Sequence, residues 1–343
     1  MQHNYCLPEG FQLENGQFIP ELRLRYHTYG QLNAQRDNVI WVFHALTANA
    51  EPDIWWNGLF GEGNILDPSC YLIVCVNMPG SCYGSTGPED TDRYGRKYAE
   101  TFPVFTICDM VLAYQKLRDA LQIKKILFAI GGSMGGMQAL EWAVVEPDFI
   151  ENLVLLACNH QHSPWGIAYN AAQRMAIEAD TSFLHGDGKK GLEAARAIAM
   201  LSYRNYRTFC LTQQHDETVS QHKAESYLRY QGKKLSKRFS AQSYNILTKS
   251  MDSHNIARNR GDVHAALQRI KAKTLVIGID SDILFPVIEQ AFLAKHIPGA
   301  ALEVISSNYG HDGFLIESGK IKRAINSYFP SLNSQRKLCK TIL

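Results

Sequence analysis

No run of about eighteen uninterrupted apolar residues occurs in the chain, so no segment reads as a membrane-spanning helix. The opening Met1-Gln2-His3-Asn4-Tyr5-Cys6 has no basic stretch followed by an apolar one, and does not read as a secretion signal. The cysteines Cys6, Cys70, Cys75, Cys82, Cys108, Cys158, Cys210 and Cys339 include no Cys-x-x-Cys pair, the usual mark of a zinc or redox motif. Cys75 and Cys158 lie in apolar runs and are expected to be buried thiols. A cytoplasmic, reduced protein is the expectation. Long basic runs are also missing and the net charge is only +2, which argues against a nucleic-acid surface or a polybasic membrane anchor. No Gly-Lys-Ser/Thr phosphate loop appears, which argues against a nucleotide-dependent enzyme. His160-Gln161-His162 offers two close imidazoles but no evident third ligand, so no metal is expected.

What is present is apolar material: 45% of 343 residues, enough for one large α/β domain, or a core domain with an insertion. Residues 11–30 alternate weakly around the turn Glu14-Asn15-Gly16-Gln17 and predict an antiparallel hairpin. Short apolar runs follow at Val39–Phe43, Tyr71–Val76, Ile126–Ile130, Leu153–Ala157, Thr274–Ile279 and Ala301–Ile305. Continuous apolar strands alternating with helices predict a mostly parallel central sheet covered on both faces. Residues 163–262 interrupt that pattern with helical periodicity at Ala168–Ala179, Leu192–Leu201, Ala224–Gln231 and Ala241–Met251. The expected organisation is a core of residues 1–162 and 263–333, a helical lid of residues 163–262, and a polar tail of residues 334–343.

Between the run Ile126–Ile130 and the helical pattern Met137–Val145 lies Gly131-Gly132-Ser133-Met134-Gly135. Strand, Gly-x-Ser-x-Gly, helix is the arrangement of a nucleophile elbow, in which glycines relieve the crowding around a strained serine. A serine hydroxyl is a weak nucleophile and needs a base, which needs an orienting acid. In the α/β-hydrolase arrangement these follow the serine in the order acid, then histidine, each after a strand. Asp280 and Asp282 both follow Thr274–Ile279. Asp282, just before Leu284-Phe285-Pro286, is the candidate acid, and Asp280 reads as a turn residue. His311, flanked by Gly310 and Gly313, follows the last strand and is the candidate base. The oxyanion of acyl transfer needs two N–H donors. Met134, after the nucleophile, and Leu46, in the loop after Val39–Phe43, are the candidates. His44 is read as shaping that loop, and Trp55-Trp56 as packing a loop onto the core.

Beyond the elbow, Gly131-Gly132-Ser133-Met134-Gly135-Gly136-Met137-Gln138-Ala139-Leu140-Glu141-Trp142 resembles the nucleophile segment of homoserine O-acetyltransferases. His44-Ala45-Leu46-Thr47, Gly80-Ser81-Cys82-Tyr83-Gly84-Ser85-Thr86-Gly87-Pro88, the segment Glu225 to Lys234 and the Asp282 and His311-Asp312 loops are similar to the same family. The resemblance implies an α/β-hydrolase fold with an inserted helical lid. It implies acetyl transfer from acetyl-CoA to L-homoserine through an acyl-serine, for methionine biosynthesis, with no permanently bound cofactor. It further implies Arg204 for the substrate carboxylate, Asp312 for its ammonium group, and a homodimer built through the lid. Succinyl-CoA as donor, L-serine as acceptor, and an esterase using water remain alternatives at this point.

Overall fold

A computed structural model describes residues 1–92, 94–214 and 222–332. The tail at residues 334–343 lies outside the described residues. An eight-stranded sheet forms the centre, in the order β1-β4-β6-β5-β7-β8-β9-β10. Its strands are β1 (Gln2–Leu7), β4 (Leu22–Tyr29), β5 (Val39–Phe43), β6 (Leu72–Val76), β7 (Ile126–Gly132), β8 (Ile150–Leu156), β9 (Lys273–Ile279) and β10 (Ala301–Ile305). β2 (Phe11–Gln12) and β3 (Phe18–Ile19) make a separate two-stranded hairpin. From β6 through β10 every neighbouring pair is parallel, while β4 runs antiparallel to both β1 and β6.

The inner strands β5, β6 and β7 are apolar along their length because both faces are covered, whereas the edge strand β10 leaves Leu302, Glu303 and Val304 exposed. Val39, Trp41 and Phe43 of β5 enter a core shared with the helices Ile107–Ala120, Met134–Val145 and Val287–His296. Ile40 and Val42 enter a second core on the other face, closed by Trp56, Phe314 and the helix Ser318–Tyr328. Trp56 packs its loop onto the core as expected, with its indole N–H donating to the Phe314 carbonyl at 3.0 Å.

The first strand was not expected. Gln2–Leu7 is a mostly polar edge strand with only Leu7 buried, so it lacks the apolar signature of the central strands. The predicted hairpin over residues 11–30 is shorter than expected. It closes at Ile19, where Leu13 N–H donates to Gln17 O at 2.9 Å, and Leu22–Tyr29 turns away to join the main sheet.

Between β8 and β9 the described residues contain no named strand. They form the helices Pro164–Glu178, Lys189–Tyr203, Tyr206–Thr212, Lys223–Ser236 and Ala241–Asp252, followed by the short helix Val263–Leu267 before β9. The chain enters and leaves this insertion side by side. Gln161 and Asn255 form an antiparallel bridge, flanked by His162 N–H to His254 O at 3.0 Å and Ile256 N–H to His160 O at 3.1 Å. Beyond Ile256 the chain already lies on the core, where Arg258 pairs with Glu14 at 3.0 Å and Arg260 with Glu141.

Sequence order makes β5 and β6 neighbours, then sends β7 to the other side of β5. That reversal opens a crevice at the carboxyl ends of β5 and β7, the usual place for a ligand in such sheets. The Leu46 loop leaves one of these strands and Ser133 the other.

Candidate active site

Ser133 stands at the mouth of the crevice in a strained conformation, φ 56° and ψ −127°, between β7 and the helix Met134–Val145. A non-glycine residue in this region persists only where its surroundings enforce it. Here they do. A Cβ on Gly135 would sit 2.2 Å from the Phe43 carbonyl oxygen, and one on Gly132 would sit 2.4 Å from the Phe314 ring. The glycines let the helix close on β5 beneath the serine.

His311 Nε2 lies 2.9 Å from Ser133 Oγ, and His311 Nδ1 lies 2.6 Å from Asp282 Oδ2. All three side chains are buried. Asp282 is held by its other oxygen, Oδ1, which accepts the N–H groups of Leu284 at 2.8 Å and Phe285 at 2.9 Å. The imidazole stacks on Phe285, with centroids 5.1 Å apart, and touches Tyr203 and Phe314. Asp280 has a different task from Asp282. Its Oδ1 accepts Ser307 N–H at 2.9 Å, while Ser281 Oγ donates to Ser307 O at 2.6 Å and accepts Gly310 N–H at 3.1 Å. These bonds tie the acid loop to the histidine loop, so the acid and base keep register.

Met134 is the first residue of its helix, so its N–H is among the donors left over at a helix N-terminus. Leu46 lies in a turn closed by Ala48 N–H to Ala45 O at 3.0 Å. Such a bond uses the N–H of the fourth residue and leaves that of the second, Leu46, outside it. His44 shapes this loop, as expected. Met78 N–H donates to its Nε2 at 3.2 Å, and its Nδ1–H donates to Ala45 O at 2.9 Å. Burial pushes its pKa down to about 4, so it is a neutral strut.

Arg204 follows the helix Lys189–Tyr203, and Asp312 follows the histidine. The structure brings them together: Arg204 Nη1 donates to Asp312 Oδ2, and Arg204 Nε donates to Tyr227 OH at 2.9 Å. Sequence reasoning gave them separate charges of one substrate and did not foresee their direct pairing. Arg204 and Tyr227 also line a cavity of about 280 Å³ with Tyr309 and Phe209.

His162 is buried beside Asn170, at 3.2 Å, and burial holds its pKa down at about 4. Among the described residues no group of three His, Cys, Asp or Glu side chains could hold a metal ion. Gly186-Asp187-Gly188-Lys189-Lys190-Gly191 has the Gly-x-Gly-x-x-Gly spacing of a dinucleotide loop. It joins two helices of the insertion, without the preceding strand that such a loop requires. Two residues near the site had no signal in the sequence. Glu289 is bonded by Asn159 Nδ2 at 3.0 Å, and Arg238 of the insertion reaches Thr47 O at 2.6 Å. Both contacts join residues more than a hundred positions apart, and neither residue falls in a motif.

The sheet, the elbow and the serine–histidine–aspartate chain define an α/β hydrolase, and residues 38–318 match the α/β-hydrolase fold family. A homoserine O-acetyltransferase of Cyclobacterium marinum is 49% identical over 330 residues, spanning 95% of this chain and 94% of its own. The chain belongs to the homoserine O-acetyltransferase family. The crystal structure of a homoserine O-acetyltransferase from Bacillus anthracis superposes with a TM-score of 0.87 at 24% identity, covering 95% of this chain and 97% of that one, and so shares the fold. An acetylester hydrolase from Corynebacterium glutamicum superposes with a TM-score of 0.85 at 25% identity, covering 98% and 96%. No helix among the described residues is long and apolar enough to cross a membrane.

Proposed function

We propose that the protein transfers an acetyl group from acetyl-CoA to the side-chain hydroxyl of L-homoserine in two half-reactions, giving O-acetyl-L-homoserine for methionine biosynthesis. The observation that carries this reading is the hydrogen-bonded chain from Ser133 Oγ through His311 to Asp282, with the Arg204–Asp312 ion pair one residue from the base. Ser133 Oγ attacks the thioester carbonyl while its proton passes to His311 Nε2. The oxyanion is met by the N–H groups of Met134 and Leu46. Collapse expels CoA thiolate, which takes the proton from His311, and leaves acetyl-Ser133. His311 then accepts the homoserine hydroxyl proton as that oxygen attacks the acetyl carbonyl. The proton returns to Ser133 Oγ as the product leaves.

Arg204 offers a planar fork to the amino acid's carboxylate and Asp312 a charge for its ammonium group. Because the two side chains are paired with each other, an amino acid enters by exchanging one ion pair for two complementary ones. A neutral alcohol or water gains nothing from that exchange. The rival reading, an esterase using water, is favoured by the likeness to the acetylester hydrolase. Succinyl-CoA as donor and L-serine as acceptor are the finer alternatives.

The helical insertion acts as a lid over the crevice in this reading. It also exposes Trp165, Met175, Leu201, Tyr206, Leu211 and Tyr230, apolar material suited to a homodimer contact. The assignment is to a cytoplasmic enzyme that uses CoA as a co-substrate and has no resident cofactor.

Mass spectrometry after brief exposure to acetyl-CoA or succinyl-CoA tests the donor. The peptide bearing Ser133 gains an acetyl mass and loses it when homoserine is added. Free thiol followed with and without homoserine tests the acceptor, and release that homoserine does not accelerate refutes the transferase reading.

A further inference from the structure

The insertion touches the crevice at a second place, remote in sequence from Arg204. Its helices Lys223–Ser236 and Ala241–Asp252 are joined by a short link containing Arg238 and Phe239. Arg238 Nη1 donates to the Thr47 carbonyl at 2.6 Å and to Tyr83 OH at 2.5 Å. The Cys82 thiol donates to the Arg238 carbonyl at 3.8 Å. Next to it, Phe239 is buried and meets Tyr83 edge-on, with centroids 5.7 Å apart. One link of the insertion thus grips two core loops, the one after β5 and the one after β6.

The grip falls on the loop that carries the Leu46 donor. Within that loop Ala45 O is already committed, accepting both Ala48 N–H and His44 Nδ1–H. Those bonds fix the start of the turn from inside the core. Thr47 O lies on the far side of Leu46 and is held from outside, by the Arg238 guanidinium. A charge-assisted bond to a carbonyl is stronger and more directional than a neutral one. The Leu46 N–H shares a planar peptide with Ala45 O, and Thr47 O shares one with the Ala48 N–H that closes the turn, so the outer and inner bonds hold one and the same turn. Without the outer hold the turn is closed by the neutral Ala48 N–H to Ala45 O bond alone, and each opening of that bond lets the planar Ala45–Leu46 peptide tilt its N–H away from the place where the oxyanion forms. A preorganised donor stabilises an oxyanion because it does not have to reorient during the reaction.

We propose that Arg238 is a positioning residue for acyl transfer: by clamping the Thr47 carbonyl it fixes the turn that presents the Leu46 N–H, so the oxyanion site is complete only when the helical insertion is seated. This rests on the acyl-serine reading above. Arg238 touches no reacting atom and acts through Thr47. Seating of the insertion and readiness for chemistry are thereby one event.

The test compares wild type, Arg238→Ala, Arg238→Lys and Ser133→Ala with acetyl-CoA and with p-nitrophenyl acetate, an acyl donor that has no CoA moiety. Rates of wild type and the Arg238 variants are normalised to active sites titrated with a fluorophosphonate, those of Ser133→Ala to protein concentration, and thermal melts report folding. Arg238→Ala should slow the acylation burst by about ten- to a hundredfold with both donors, with KM changed less than about threefold. Arg238→Lys keeps one cationic donor and should recover most of the loss. Thermal loss alone would lower the titre of active sites and leave the rate per site unchanged, which overturns the proposal. A defect confined to acetyl-CoA also overturns it, because Arg238 would then be holding the donor's phosphates. Wild-type acylation by Arg238→Ala with both donors overturns it outright. Turnover of p-nitrophenyl acetate by Ser133→Ala at the wild-type rate is a separate result, and removes the acyl-serine reading itself.

Discussion

Replacing Asp282 by asparagine isolates one proton. The carboxylate has two oxygens with different duties: Oδ2 receives His311 Nδ1–H at 2.6 Å, and Oδ1 receives the N–H groups of Leu284 and Phe285. Asparagine has a single acceptor oxygen. If that oxygen faced the imidazole, the amide NH2 would point at two buried backbone donors, leaving each unpaired at about 1–3 kcal/mol apiece. The backbone therefore dictates the orientation, and the NH2 group faces His311. Nδ1 must then accept, which moves the imidazole proton to Nε2 and blocks removal of the Ser133 proton. A wrong-tautomer histidine in a serine triad costs about 10⁴ in kcat, or roughly 5.5 kcal/mol of barrier. Since both backbone bonds survive, Asp282→Asn should unfold within about 1–2 kcal/mol of wild type. Asp282→Ala, which orphans both N–H groups, should be clearly less stable. The assay is stopped-flow release of CoA thiol, paired with urea unfolding of the same samples. A folded Asp282→Asn protein acylating within tenfold of wild type would falsify the assignment of the acid.

Two further substitutions probe the frame around the site. Gly135→Ala forces a Cβ to within 2.2 Å of the Phe43 carbonyl, so the helix must move off β5. The expected cost is about 1–3 kcal/mol in urea melts with a matching loss of acylation, and an unchanged midpoint would contradict the close approach. Burial pushes the Glu289 carboxyl up to about 7, with Asp282 adding to the rise and Asn159 and Ser163 opposing it. The folded protein therefore binds a proton there that the unfolded chain has already released. This contribution is full below the ordinary carboxyl range of about 4.3 and is lost as pH rises through 7. Relative to wild type, Glu289→Gln should gain on the order of 1 kcal/mol between about pH 5 and pH 8, and parallel pH profiles of unfolding would remove Glu289 from the account.

The triad was readable because each member follows an apolar strand, and because the elbow's glycines are demanded by backbone contacts only 2–3 Å away. Val39–Phe43 was read to the residue, since a strand covered on both faces announces itself by unbroken apolarity; Ala301–Ile305 was read to the residue too, although it is an edge strand with Leu302, Glu303 and Val304 exposed. Gln2–Leu7 escaped notice for the opposite reason: an edge strand needs only backbone bonds, and these leave no mark on side-chain choice. The Arg204–Asp312 pair and the Arg238 clamp were illegible for a third reason. A charged side chain on a helix or link looks the same whether it meets solvent or a partner a hundred residues away.

The paired crossing at Gln161 and Asn255 has a consequence for how such a protein can change over time. Both ends of the insertion leave the core through one bridge, so the length of chain threaded between them places no demand on the strand order. Helices there can lengthen or shorten away from Arg204 and Arg238 while Ser133, Asp282 and His311 stay where the strands put them. The core behaves as a socket and the insertion as a plug. The triad belongs to the socket, while Arg204 and Arg238 of the plug meet Asp312 and the Thr47 loop of the socket across the join.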